Sequence, residues 1–303
     1  MSQAPANIGA SVRSRLLRLA RERRDDFQLV LLRYANERLL YRLACSKHAS
    51  QFVLKGATLF TLWTGEPHRA TRDVDLLGFG PPDERRIRSI FSDLLTLGVE
   101  SDGLRFELDS LSVGPIREDQ AYSGVRVTLI AHLTSAKVRM QVDVGFGDII
   151  TPEPAFISLP TLLDFPAPTL RAYPRETVVA EKVEAMVKLS HANSRMKDFY
   201  DLQTLGDQFP FDGQLLVRAL VATFARRGTP LPSTRPVALT PEFTEHPAKR
   251  TQWRAFLRKS GVVSDQDLSQ LTAAIARFVE PPLNAAYTGK AFPGHWAPGG
   301  PWN

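Results

Sequence analysis

A single cysteine in 303 residues excludes an internal disulfide, and Cys45 falls inside an apolar helical pattern, where a thiol is expected to act as a small core residue. The six histidines show no metal-ligand spacing and no H-E-x-x-H, which excludes the common zinc hydrolase arrangement. Neither a Walker A sequence nor a G-x-G-x-x-G occurs where a strand meets a helix, so the usual P-loop and dinucleotide folds are set aside. No apolar run approaches the roughly 20 residues that cross a bilayer. The opening MSQAPANIGA lacks the basic and apolar regions of a secretory signal, so the expected location is the cytoplasm, with no membrane partner. A 43% hydrophobic and 23% charged composition is that of a globular protein, and the length allows two domains. The excess of 38 Lys+Arg over 32 Asp+Glu, a net +6, favours polyanionic partners.

What is present centres on residues 55–77, KGATLFTLWTGEPHRATRDVDLL. A Gly56-Ala57 turn leads into an apolar helical pattern, and the stretch ends in Asp73-Val74-Asp75-Leu76-Leu77. Successive side chains of a strand point to opposite faces, so Asp73 and Asp75 share one face while Val74 and Leu76 enter the core. Two like charges held this close point to a divalent metal or its bound phosphate between them. A third acid, Asp143, alternates with Val138, Met140, Val142 and Val144 in a strand over 137–145. If that strand lies beside 73–77, three carboxylates converge.

The rest of the chain reads as a frame for this strand pair. Residues 11–24 and 26–47 are expected as helices, the first carrying six arginines around Leu16, Leu17 and Leu19. Asp83 is placed to cap a helix on which Ile87, Ile90, Phe91, Leu94 and Leu95 recur at helical spacing. Strands follow at 104–109 and 125–132. The Pro-rich stretch 159–173 reads as a crossover between domains.

From Pro174 the pattern turns helical. Lys182 stands in an otherwise apolar stripe with Val178, Met186 and Leu189, and Asp198 lies in line with Leu202 and Leu205. A buried acid needs a partner, and Lys182 is the expected one, while Lys197 and Asp201, four apart, read as an exposed pair. Later helices are expected at 215–226, around Trp253 among Lys249, Arg250, Arg254, Arg258 and Lys259, and at 265–279. The Gly- and Pro-rich end, 288–303, is expected either to move or to be pinned by Trp296 and Trp302.

A turn at a helix start, two acids on one strand and a third on a neighbour suit phosphoryl or nucleotidyl transfer, with phosphates on the turn and metal ions on the acids. The blocks LKGATLF, RATRDVDLL, VDVGFGD, YPRETVVAEKVEAMV and SRMKDFYDL, in this order, resemble the AbiEii/AbiGii toxin family, which includes the MenT toxins, within the DNA polymerase beta type nucleotidyltransferases. The resemblance implies an α+β fold: a mixed β-sheet flanked by helices over 51–172, an N-terminal helical pair over 1–50 and a helical domain over 173–287. It implies a toxin of a toxin-antitoxin or phage-defence system, with a cognate antitoxin. The activity implied is Mg2+-dependent transfer of nucleotides, on two ions, from an NTP to the 3′ end of tRNA, inhibiting translation.

By the same resemblance Asp73, Asp75 and Asp143 are metal ligands and, with Lys182, catalytic. Gly56, Ala57, Thr58, Arg72, Lys182, Lys197 and Asp198 are implied to bind the nucleotide. The second turn position is commonly Gly or Ser in that family. Ala57 removes a hydroxyl there, and Thr58 offers one next door. Two other readings are a protein acceptor for the same chemistry and a catalytically silent RNA-binding or interaction protein.

Overall fold

The computed structural model describes residues 7–65, 69, 71–116, 124–262 and 265–303. Residues 66–68 and 70, which fall within the acid-bearing stretch, lie outside the described set. The chain divides into two units, Met1–Gly147 with Ala155–Ala172, and Asp148–Pro154 with Tyr173–Asn303.

The first unit opens with α1 (Ile8–Arg23), capped by the Asn7 side chain on the Ala10 N–H. The chain turns at Arg24, in the left-handed region, and Asp26 caps α2 (Phe27–Cys45) through the Leu29 N–H. Helix α2 is buried along most of its length and carries charges inward. Arg42 donates to Asp102 from Nη1 at 2.6 Å and Nη2 at 3.3 Å. Arg38 donates to the Pro166 carbonyl at 2.7 Å, and Glu37 accepts from the Leu162 N–H at 2.7 Å. Cys45 is exposed rather than in the core, because it is the last residue of α2 and the buried stripe ends at Leu43.

The remaining elements of this unit are β1 (Phe52–Lys55), α3 (Thr58–Thr64), β2 (Asp73–Gly78), α4 (Glu84–Thr96), β3 (Leu104–Pro115), β4 (Gly124–Leu133), β5 (Ala136–Phe146), β6 (Ala155–Ser158) and β7 (Thr169–Ala172). They build one seven-stranded mixed sheet in the order β3-β4-β5-β2-β1-β7-β6, which agrees with the α+β expectation. Strands β3, β4 and β5 form an antiparallel meander, β5 runs parallel to β2, and β2 is antiparallel to β1. One face is apolar: Val125, Val127, Leu129, Ala131, Val138, Met140, Val142 and Val144 are each at most 5% exposed. Helix α2 contacts β5 and β7, and α4 contacts β3 and β4, which covers that face. Burying each such valine stabilises the fold by about 1.5–3 kcal/mol, so a charge at Val144 would break the layer. Asp83 caps α4 by accepting from the Arg86 N–H at 2.7 Å, and the five expected apolar residues of α4 are buried.

Two further expectations are corrected in this unit. The stretch 159–173 contains β7, which pairs in parallel with β1, so it completes the sheet instead of merely crossing over. Strand β3 extends well past residue 109 through a register shift between Glu107 and Ser112, which leaves Leu108 exposed.

The second unit is helical, with α5 (Arg175–Leu189), α6 (Met196–Gln208), a short β8 (Phe211–Asp212), α7 (Gly213–Arg227), α8 (Pro241–Glu245), α9 (Pro247–Ser260), α10 (Leu268–Thr288) and β9 (His295–Trp296). Helix α7 packs on α5 and α10, and α10 on α6. Arg227, with its side chain 14% exposed, gathers Asp148 and Glu184 at 2.9 Å and Glu181 at 3.3 Å, tying the 148–154 segment to the helices.

Helix α10 runs past the expected end at Val279, through Pro281 and Pro282. Each proline removes a helical N–H, yet the buried stripe of Ile275, Phe278 and Val279 continues in Leu283 and Ala286, and that packing carries the helix onward. The chain end is pinned: the Trp296 indole donates to the Gly206 carbonyl at 2.7 Å and that of Trp302 to the Phe278 carbonyl at 2.8 Å.

Candidate active site

Strand β2 alternates as its sequence requires. Val74 and Leu76 are 1% and 2% exposed on the apolar face, and Asp73 and Asp75 stand half-buried on the other. Register decides what surrounds them. Asp75 pairs with Lys55 of β1 and with Asp143 of β5, and Asp143 in turn pairs with Arg126 of β4. Side chains of paired residues share a face, so Lys55, Asp75, Asp143 and Arg126 form one row across four strands. One step along, Asp73 stands beside Gln141, which pairs with Thr128. The three acids therefore occupy one sheet face.

Arg126 was visible in the sequence only as a polar alternate of its strand. In the fold it grips Asp143, with Nε to Oδ1 and Nη2 to Oδ2 both at 2.8 Å. The Gln141 side-chain amide lies against the same ion pair, within 3.4 Å of both Asp143 carboxylate oxygens. Strand pairing of residues 126 and 143 was the only signal that could have identified it.

At the Gly56 turn, φ is +75°, a region where a side chain is strained. A Cβ there would fall 2.0 Å from Asp75 Oδ2 and 2.6 Å from its Cγ, so the backbone of residue 56 lies directly against the carboxylate. Gly56 accepts from the Leu59 N–H at 3.2 Å, which opens α3 with Thr58 as its first residue. Ala57 is buried. Arg72 is exposed immediately before β2, and its carbonyl accepts from Asn36 Nδ2 at 3.4 Å.

Among the described residues no group of three or more His, Cys, Asp or Glu side chains stands together as a metal cluster. The acid face still suits a hard cation. Mg2+ commonly takes one or two carboxylates and completes its shell with substrate phosphates and water, and Asp73 and Asp75 supply such a pair of oxygen donors. The carboxylate of Asp143 is engaged by Arg126.

The second unit holds a cluster of its own. Lys182 Nζ donates to Asp198 Oδ1 at 2.7 Å and to Asp201 Oδ2 at 2.8 Å, and Arg195 Nε donates to Asp198 Oδ2 at 2.6 Å. Asp198 and Asp201 are 2% and 1% exposed. Burial pushes the Asp198 carboxyl up, and the neighbouring Lys182 and Arg195 outweigh it, holding the group below its ordinary range. The expected Lys197–Asp201 pair is replaced. Lys197 is exposed while Asp201 turns inward to Lys182, because residues 198, 201, 202 and 205 share the buried face of α6. Asp201 and Arg195 were thus missed as members of this cluster.

A family model described as nucleotidyl transferase AbiEii toxin, type IV toxin-antitoxin system, matches residues 38–277. No curated protein matches the chain. Among solved structures, a candidate nucleotidyltransferase from H. pylori aligns at 13% identity over 84% of this chain and 94% of that one, with a TM-score of 0.45. JHP933 from Helicobacter pylori aligns at 12% identity over 83% and 88%, also with a TM-score of 0.45.

Proposed function

The chain belongs to the AbiEii family of nucleotidyltransferase toxins of type IV toxin-antitoxin systems, and on that premise we propose that it transfers nucleotides from an NTP to the 3′ end of tRNA, with Mg2+, and so blocks translation. Family membership implies an NTP substrate and an antitoxin partner. The observation that carries the reading to this chain's residues is the pairing of Asp73 and Asp75 on one face of β2, with the Gly56 backbone against Asp75.

Asp73 and Asp75 would hold the ion, which when bound supplies a Lewis acid for the triphosphate oxygens. The amides of the turn at Gly56, Ala57 and Thr58, with the Arg72 side chain, bind phosphate oxygens in this reading. The acceptor hydroxyl oxygen attacks the α-phosphorus, the bond to the bridging oxygen breaks, and pyrophosphate leaves. The hydroxyl proton passes to a carboxylate of the acid face, for which Asp143 is the nearest neighbour of Asp75 in register. In the second unit Lys182 is held between Asp198 and Asp201, and the family resemblance is what gives this lysine and acid a functional role in the reading.

An RNA acceptor is supported by the excess of basic side chains. Helix α9 exposes Arg250, Arg254 and Arg258 at successive turns, and α1 exposes Arg18, Arg21 and Arg23. The purified chain with Mg2+, labelled NTPs and total tRNA is expected to label tRNA, and Asp73→Asn or Asp75→Asn to lose at least about 100-fold of that rate. A labelled protein band in a lysate without labelled tRNA would move the acceptor to protein. No labelling with any NTP would reject transfer altogether and leave a silent RNA-binding role.

A further inference from the structure

The row Lys55, Asp75, Asp143, Arg126 sets two carboxylates side by side with a cation at each end. Adjacent like charges on neighbouring strands repel. On the Asp143 side the fold answers with a two-point fork, one guanidinium nitrogen on each carboxylate oxygen at 2.8 Å. This planar geometry is the most directional way an arginine binds a carboxylate. The Arg126 side chain is 39% exposed and that of Asp143 17%, so the guanidinium stays open to solvent on the acid face while it holds the less exposed carboxylate. A guanidinium bonded to both oxygens also repels any dication approaching the same carboxylate.

We infer that Arg126 is a positioning residue that keeps Asp143 out of the metal coordination set. The protein then holds its divalent ion through Asp73 and Asp75 alone, and Arg126 stands on the acid face as a fixed cation for a nucleoside triphosphate. A triphosphate is a tetra-anion when fully ionised, and one dication leaves charge for a basic side chain to meet. This rests on the nucleotidyltransferase reading.

Crystals of the full chain grown with Mn2+ and α,β-methylene nucleoside triphosphates, one for each common base, test it by anomalous scattering, which reads ligation and not turnover. In the wild type, Mn2+ is expected on Asp73 and Asp75 with Asp143 still held by Arg126. In Arg126→Met, Asp143 is expected to join the coordination, and Mn2+ titration followed by electron paramagnetic resonance is expected to show tighter binding by about tenfold or more. Should that variant fail to fold, the wild-type crystals decide alone. Mn2+ bound to Asp143 in the wild type overturns the inference and leaves the nucleotidyltransferase reading standing. Mn2+ on Asp73 and Asp75 in both proteins, with Asp143 uncoordinated after Arg126 is removed, overturns the role of the arginine. Mn2+ at none of the acids overturns both readings.

Discussion

Gly56→Ala is expected to damage the acid face through a single methyl group. Two costs can be separated. Residue 56 sits at φ +75°, and a non-glycine residue in the left-handed region costs about 1–2 kcal/mol. The new Cβ also meets Asp75, at 2.0 Å from Oδ2, 2.6 Å from Cγ and 2.7 Å from Cβ, distances that require the side chain or the strand to move. Overpacking of this kind costs roughly 1–3 kcal/mol, so the total loss is on the order of 2–5 kcal/mol.

The same movement displaces Asp75, so transfer should fall together with stability. A double-mutant cycle with Asp75→Ala isolates the collision. That background removes Oδ2 and Cγ but keeps Cβ, so Gly56→Ala should become less costly by about 1–2 kcal/mol without becoming free. Urea unfolding midpoints measure the stability terms, and incorporation of labelled nucleotide measures the activity of Gly56→Ala. Wild-type stability and activity in Gly56→Ala, or the same stability loss in both backgrounds, would refute the contact argument.

Two further perturbations test buried charges. Lys182→Ala leaves Asp198 and Asp201 buried without their shared cation, a loss of about 3–5 kcal/mol that Arg195 offsets only at Asp198; a change in urea midpoint equivalent to less than about 1 kcal/mol would contradict this. Glu37 is pushed by burial from 4.5 up to about 7. The unfolded chain therefore releases this proton first, and stability should fall as pH rises from about 4.5 to about 7 and level off above that, a loss on the order of 3 kcal/mol. Glu37→Gln keeps an acceptor for the Leu162 N–H and cannot titrate, so its stability relative to the wild type should increase across that window; parallel pH profiles would dismiss the assignment.

Much of the local structure is legible from residue order. Asp83 followed by an apolar repeat predicts a capped helix, and the alternation through 125–132 and 137–145 predicts two strands. These patterns depend on neighbours a few positions apart, and the backbone obeys them wherever tertiary packing agrees. They misled where packing overrode local preference. The prolines at 281 and 282 failed to end α10 because its buried stripe continued through them, and Cys45 was exposed because the apolar stripe of α2 stopped two residues earlier.

The sequence by itself determined that Asp73 and Asp75 share a face, since that follows from the two-residue period of a strand. It also determined that Lys182 and Asp198 are out of place on apolar stripes and so need partners. Only the tertiary structure decided who those partners are. Lys182 is shared between Asp198 and Asp201, Gly56 presses on Asp75, and Asp143 is forked to Arg126. Each of these is set by strand register or by which helix faces meet, and hydrogen-bond pairing between residues distant in the chain leaves no periodic trace in either segment.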